Sequence, residues 1–383
     1  MSGTTGSGQA TWHNPKLRYQ ERLAEGGGQM AQREPTLSDV AALAGVSVTT
    51  VSRVLNSRGY LSAEIKGRVD EAIRALNYRP NQIARSLLGQ RTRMIGVIMP
   101  TTALPFFGQV TAEIENDLAT RGYRTLSCNS FGRADREREY LQLLAGNRVD
   151  GIISGAHNHS IPEYATLRLP IVTVDRELSP SIQNVRAANE EGGRMATRLL
   201  LERGSHRPML LTSTSSPLNR REAGYRSVLG DAGIEPLVAT VEFHTPEPAR
   251  TSQIFAALDA AREIDGVFAT DDLAAATALE WARQRGVRVP DDVRVVGFDG
   301  TEAIRRALPG LSTIQQPIRD ICRRAVEHLV SQIEAASSDE EPLAVAAEEL
   351  PVTLIEGWTT GGCRAPDETK EGGGPLPAHP LPQ

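Results

Sequence analysis

Cysteine is nearly absent: Cys128, Cys322 and Cys363 are the only three in 383 residues. An odd, scattered set with no close pair excludes a disulfide framework and a thiolate metal knot, and fits a reducing cytoplasm. No apolar run approaches the ~20 residues that span a bilayer, and the N-terminus lacks the apolar core of a signal peptide. No membrane is therefore expected among the partners. Nucleotide-binding glycine signatures are also missing: no G-x-G-x-x-G follows a strand pattern, and no G-x-x-x-x-G-K-[ST] occurs. The run GIISG is not a G-x-S-x-G elbow. Of seven histidines only His157 and His159 lie close together, with no acidic or thiol neighbour to complete a metal site. These absences argue against catalysis and imply neither a metal nor a cofactor. Hydrophobic residues at 40% and charged residues at 23% are the balance of a globular chain, long enough for two or three domains.

What is present concentrates first in TLSDVAALAGVSVTTVSRVLN, residues 36 to 56. Thr36 is a natural N-cap with Asp39 three residues on. Leu37, Val40, Ala41 and Ala44 recur at helical spacing, and Gly45 supplies the permissive backbone of a sharp turn. Ser47 caps a second helix in which Val51 and Leu55 pack inward while Val48, Thr49, Ser52 and Arg53 face outward. This is the layout of a helix-turn-helix, whose second helix enters a DNA major groove. A hydroxyl bonds phosphates or base edges, Val48 meets a thymine methyl, and Arg53 grips guanine with two hydrogen bonds. Base reading narrows to Val48, Thr49 and Arg53, leaving Thr50 and Ser52 as phosphate or packing positions. The plain alternative is a helical hairpin with a solvated arginine.

Charge divides the chain in the same place. Residues 33 to 93 carry ten Lys/Arg against five Asp/Glu, a balance of +5, although the whole chain is −5. A third helical pattern, SAEIKGRVDEAIRALNY, is capped by Ser62 and followed by RPNQIARSLLGQRTR. A basic head on an acidic body is the footprint of a phosphate-binding module joined to one that binds none.

The matching residues are Thr36, Leu37, Asp39, Val40, Ala41, Ala44-Gly45-Val46-Ser47, Thr50-Val51-Ser52-Arg53-Val54, Asn56, Leu76-Asn77-Tyr78, Pro80-Asn81, Ala84-Arg85 and Leu87. In this register the head resembles the LacI/GalR family of bacterial transcription regulators. The resemblance implies that Asn81 to Leu88 form a hinge helix that folds on operator DNA, with Leu87 wedging into the minor groove from both halves of a dimer. It implies DNA contacts at Thr36, Leu37, Ser47, Val48, Thr49, Thr50, Ser52, Arg53, Asn56, Tyr78, Asn81, Ala84 and Leu87.

From Met94 onward short β-branched runs alternate with amphipathic helices. The strands read MIGVIM, YRTLSCN, GIISG, IVTVD, PMLLTS, VATVEF, GVFAT and VRVVGFD. Such alternation means βαβ units, and eight strands over about 200 residues suit two lobes better than one sheet. Ligands in such folds bind beyond the carboxyl ends of the strands, here between the lobes. The loops at those ends carry Pro105-Phe106-Phe107, Asp175-Arg176, Asn219-Arg220-Arg221, Thr270-Asp271-Asp272 and Phe298-Asp299-Gly300. Carboxylates, an arginine and aromatic rings at one cleft suit a polyhydroxylated ligand. The plain alternatives are that Asp271 and Asp272 cap a helix, Phe106 and Phe107 are core, and Arg221 is solvated.

The same resemblance extends from about residue 94 to 356, through Asp150-Gly151-Ile152-Ile153, Arg221 with Gly224-Tyr225, Pro290 to Asp299, and LSTIQQPIRDICRRAVEHL. It implies effector contacts at Arg221 and Asp299, an aromatic cleft wall at Phe106 and Phe107, and a stacking ring at Phe243. Asp175, Glu191, Thr270 and Asp271 complete the expected set. Thr270 and Ala188 depart from the family's usual Asn and Asp, and Gly357-Trp358 from its usual Arg-Glu.

The expected fold class is a small all-α helix-turn-helix head plus an α/β two-lobed body, each lobe a parallel sheet flanked by helices. The expected domains are a disordered extension (1–32), the head (33–80), a hinge helix and linker (81–93), the body (94–360) and a disordered tail (361–383). Within the body, lobe 1 is expected at about 94–187 and 311–336, and lobe 2 at 188–310 and 337–360. Met30, just ahead of the first helix, is the expected translation start. The expected function is a regulator, acting as a repressor on a palindromic operator. Its partners are double-stranded operator DNA, a second copy of the chain, and a small effector, a sugar or related polyol or a nucleoside-like molecule. The alternatives are a sugar-binding protein without DNA function and a doubly wound α/β enzyme. The tail has no apolar heptads, so no coiled-coil route to a tetramer is expected.

Overall fold

A computed structural model describes residues 35–55, 61–78, 91–156, 158, 161–336 and 347–362. The expectations for the N-terminal extension, Met30, Asn56, the hinge with Asn81, Ala84 and Leu87, and the tail beyond residue 362 lie outside the described residues. The chain divides into two units at Thr92 and Arg93.

Among its described residues the first unit holds three helices, α1 (Leu37–Ala44), α2 (Val48–Leu55) and α3 (Ala63–Ala75). Thr36 and Asp39 form a reciprocal capping box, and Gly45 ends α1 in the left-handed region at φ 62°. A side chain there meets strain, so glycine makes the turn. Helices α1 and α2 meet at 102°. Arg68 on α3 donates to the carbonyls of Ala44 and Gly45, fixing the turn from outside. Val40, Ala44, Val51, Val69 and Ala72 form the small core between the helices.

The second unit contains two six-stranded sheets. In chain order its elements are β1 (Met94–Met99), α4 (Pro105–Thr120), β2 (Arg124–Asn129), α5 (Ala134–Gly146), β3 (Gly151–Ser154), α6 (Glu163–Thr166), β4 (Ile171–Val174) and β5 (Gln183–Ala187). Then follow α7 (Asn189–Glu202), β6 (Pro208–Thr212), α8 (Arg220–Asp231), β7 (Leu237–Thr240), α9 (Ala249–Ala260), β8 (Gly266–Ala269), α10 (Asp272–Arg285), β9 (Arg294–Asp299) and α11 (Glu302–Ala307). The chain closes with β10 (Ser312–Gln315), α12 (Ile318–Ala335), β11 (Glu348–Leu350) and β12 (Thr353–Ile355). Strand order is β11-β5-β4-β3-β1-β2 in the first lobe and β12-β10-β9-β8-β6-β7 in the second. Every pairing is parallel except that of β10 with β12.

The expected lobe boundaries need correction. Residues 311 to 315 belong to the second lobe, because β10 pairs with β9, Ser312 opposite Val296. Strand β11 belongs to the first lobe, because Glu348 pairs opposite Val185 on β5. The chain therefore crosses between lobes three times, after β5, after β10 and after β11. Four strands are also added to the expected eight. β5, QNVRA, is buried along its whole length although three of its five residues are polar. Asn184 donates to the Thr173 hydroxyl at 2.9 Å, and Arg186 bonds Glu177 and Glu349, so the polar groups are satisfied. No single helix among the described residues is long and apolar enough to cross a membrane.

Candidate DNA-reading face and effector cleft

On the head, α2 turns one face away from the core. Ser47 accepts a hydrogen bond from the Thr50 amide at 3.1 Å and shares a second with the Thr50 hydroxyl at 2.8 Å. That fixes the first turn and occupies the hydroxyls of Ser47 and Thr50 locally. Val51 is fully buried, whereas Val48, a large apolar side chain, stands 44% exposed. Thr49 and Arg53 are exposed beside it, and Ser52 is half-buried. Thr36 spends its side chain on the capping box and Leu37 packs against the core. Tyr78 departs from the expected DNA contacts: only 8% exposed, it is part of the head's core.

In the second unit a cleft of about 1010 Å³ opens between the lobes. Helix α8 places Arg221 at its centre through Asn219, whose side chain caps the helix. The Arg221 guanidinium stacks on the Phe298 ring at 3.8 Å. Its Nε donates to Asn189 Oδ1 at 2.7 Å and its Nη1 donates to the Thr270 carbonyl. Asp299 of the second lobe lies 3.4 Å from it, and Asp175 of the first lobe 3.7 Å. Each of the three charged side chains is no more than 16% exposed. Burial holds the Asp299 carboxyl well above the usual carboxylate range; Arg221 opposes the shift, while Asp272 and Asp271 reinforce it.

Both aspartates adopt positive φ, 64° at Asp175 and 105° at Asp299. Non-glycine residues held there cost about 1–3 kcal/mol each and cluster at functional sites. Asp272, not among the expected contacts, is buried where it accepts from the Gly300 amide and the Thr313 hydroxyl, and burial pushes its carboxyl up to about 7. Arg176 also lines the cleft; burial lowers its guanidinium pKa, with Asp175 opposing the shift and Arg221 adding to it.

Aromatic rings line one side of the cleft. Phe106 and Phe107 open α4 and meet edge to face at 5.1 Å. Phe107 contacts Phe243 of the second lobe at 5.8 Å, so one cluster spans both lobes. Phe106, Phe107, Asp175, Arg221, Phe243, Thr270, Asp271 and Asp299 all line the cleft. Glu191 does not: it sits on the outer face of α7, paired with Arg198 at 3.2 Å and Arg194 at 3.7 Å. Among the described residues no group of three or more His, Cys, Asp or Glu is placed to hold a metal ion.

Two protein-family models match the chain. Residues 36–81 match the model "Bacterial regulatory proteins, lacI family" and residues 197–360 match a periplasmic binding protein-like domain. The sucrose operon repressor of Pediococcus pentosaceus is 43% identical over 329 residues, 85% of this chain and 99% of that protein. The chain belongs to the lacI family of bacterial regulatory proteins. Its structural neighbours include the lac repressor dimer bound to operator and the anti-inducer ONPF, at TM-score 0.74 and 26% identity over 86% of this chain and 99% of that one. A complex of the transcriptional regulator CelR with cellobiose matches at TM-score 0.61 and 29% identity, covering 85% and 99%. This lacI-family protein is a DNA-binding repressor with a small-molecule site, and not an enzyme.

Proposed function

We propose that this repressor acts in the cytoplasm as a homodimer on a palindromic operator, and that a sugar held between its lobes controls it. The DNA reading rests on α2, where Val48, Thr49 and Arg53 form the exposed face and are assigned to the bases. Ser47, Thr50 and Ser52 are assigned to phosphates or to support. A single head buries too little surface to select one site in a genome, and two half-sites multiply the discrimination.

The observation that carries the effector reading is the Arg221 cluster. A planar guanidinium stacked on Phe298 is flanked by a carboxylate from each lobe. A hydroxyl donates and accepts at once, so a polyol satisfies arginine and aspartate together. Phe107 and Phe243 supply apolar ring faces beside them. A ligand touching Asp175 and Asp299 together bridges the lobes and so favours one interlobe arrangement, a coupling of typically ~1–3 kcal/mol.

Mobility shift of a labelled fragment carrying the candidate operator, with and without a panel of sugars and nucleosides, tests both halves. The expected result is a specific complex that one sugar class releases and that Asp299→Asn leaves unreleased. Release by a nucleoside and by no sugar overturns the ligand class, and absence of any specific complex overturns the assignment of α2.

A further inference from the structure

We infer that Arg250 and Asp271 form a second sugar subsite beside the one built on Arg221, so that the effector is a disaccharide or larger glycoside. The inference deepens the sugar reading of the cleft and rests on it.

Arg250 leaves the first turn of α9 and lines the cleft wall. Its Nη2 lies 3.0 Å from Asp271 Oδ2, and the two side chains are only 11% and 21% exposed. Asp271 is held in place because its other oxygen caps α10, accepting from the Ala274 amide at 2.8 Å. The Nε–H of Arg250 is buried and has no hydrogen-bond partner. Buried side-chain donors are rarely left unmatched, and an unmatched one in a binding cleft points to an acceptor that arrives with the ligand.

The chemistry of this pair repeats that of the Arg221 cluster, a planar donor fork against a fixed carboxylate. Because the pair neutralises itself, it favours a neutral hydroxyl-rich group over a free anion. The two clusters adjoin along the chain: Arg221 donates to the carbonyl of Thr270, the residue before Asp271. The cleft of about 1010 Å³ also lies at the top of the roughly 300–1,000 Å³ typical of small-ligand sites. One sugar ring on Arg221 leaves both the space and the second pair unused.

Calorimetric titration of the full chain with sucrose, cellobiose, glucose and fructose tests this. The wild-type protein is expected to bind at least one of the disaccharides more tightly than either hexose. Arg250→Ala is expected to weaken that disaccharide at least tenfold while changing hexose binding less than threefold. Arg250→Lys keeps the charge but loses the Nε donor, and guards against a folding defect in the alanine variant; it is expected to lose disaccharide affinity in the same direction. Asp271→Asn retains the helix cap and is expected to lose the same selectivity. A wild-type protein that binds only hexoses, or variants that weaken both sugar classes alike or neither, overturn the second subsite and leave the sugar reading standing. A wild-type protein that binds none of the four defeats the sugar reading and this inference with it.

Discussion

Gly193→Ala is a small change with a large expected consequence for the cleft. Helices α7 and α8 touch backbone to backbone where Arg221 leaves α8. A Cβ at residue 193 falls 2.2 Å from the Arg221 carbonyl oxygen and 3.0 Å from its carbon, against 3.4 Å for ordinary contact. From the other side, a Cβ at Gly224 falls 2.1 Å from the Glu190 oxygen. Neither neighbour is a side chain that can swing aside, so the helices must part by about 1 Å. Alanine recovers about 1 kcal/mol of helix propensity. Overpacking of a rigid contact costs about 1–3 kcal/mol, and the immovable backbone puts this site at the upper end. The net loss is about 1–2 kcal/mol, and with ~2–4 °C per kcal/mol in a domain of this size the melting temperature falls by about 2–8 °C. Function suffers more, because the separation pulls Arg221 from Asn189, now 2.7 Å away on α7, and from Asp299 at 3.4 Å. Hydrogen bonds do not survive such lengthening. Effector affinity is expected to fall more than tenfold while the head, a separate unit, still binds operator. Gly230→Ala on the facing helix α8, with open space around its Cβ, is the matched control and is expected to be neutral or stabilising. Scanning calorimetry and effector titration decide the matter. A Gly193→Ala protein that melts and binds effector like the wild type refutes the close-contact account of how Arg221 is held.

Three further changes probe other parts of the molecule. Arg53→Ala is expected to cost roughly 1–3 kcal/mol and to relax base preference at one position of each half-site; equal weakening on all DNA makes Arg53 a phosphate contact instead. Asp272 has its folded-state pKa raised to about 7. Its contribution to stability is therefore present below the unfolded value near 4 and is lost as pH rises through about 7. Asp272→Asn, with its amide oxygen on Gly300 and its NH2 on Thr313, is expected to flatten that loss in thermal melts between pH 5 and pH 8. A variant melting with the same pH slope as the wild type removes Asp272 from the account. Gln316→Leu deletes the amide that donates to Asp299 Oδ1 at 2.8 Å. It is expected to raise the effector concentration needed for operator release without weakening effector-free operator binding; an unchanged release curve contradicts that role.

The head was legible in the sequence because its chemistry is local. A cap, a turn glycine and an apolar stripe lie within 21 residues, and the outward face of α2 follows from helical spacing. The burial of Tyr78 is not legible locally, because a tyrosine beyond the last helix gives no sign of whether it folds back into the core. In the body, eight strands stood out because they are apolar, while β5 hides its burial behind Gln183, Asn184 and Arg186, whose hydrogen-bond partners lie on other segments. The lobe boundary failed for a related reason: β10 and β11 are assigned to a sheet by pairing with β9 and β5, and no periodicity records a partner. Glu191 faces away from the cleft, toward Arg194 and Arg198. Asn189, two positions earlier, is the residue of α7 that bonds Arg221, a distinction set by how the helix rotates on its sheet. Arg250 carried no sequence signal, since a single arginine in the first turn of a helix usually faces water.

The three lobe crossings, which only the pairing reveals, bear on how a ligand is felt elsewhere. The first crossing carries Asn189, which accepts from Arg221. The second carries Gln316, which bonds Asp299 through both its side chain and its backbone amide. The third is tied to the first, since the Ala188 amide donates to the Leu350 carbonyl. Arg221 and Asp299 thus lie one hydrogen bond from two of the segments that connect the lobes. A ligand that re-aims either side chain acts on those segments directly, with no long relay of packed side chains between site and hinge. Where such a cleft has two interlobe arrangements, a ligand shifts their balance only by as much as it prefers one setting of Arg221 and Asp299 over the other. A ligand that binds tightly but leaves the pair as it stands occupies the cleft without signalling.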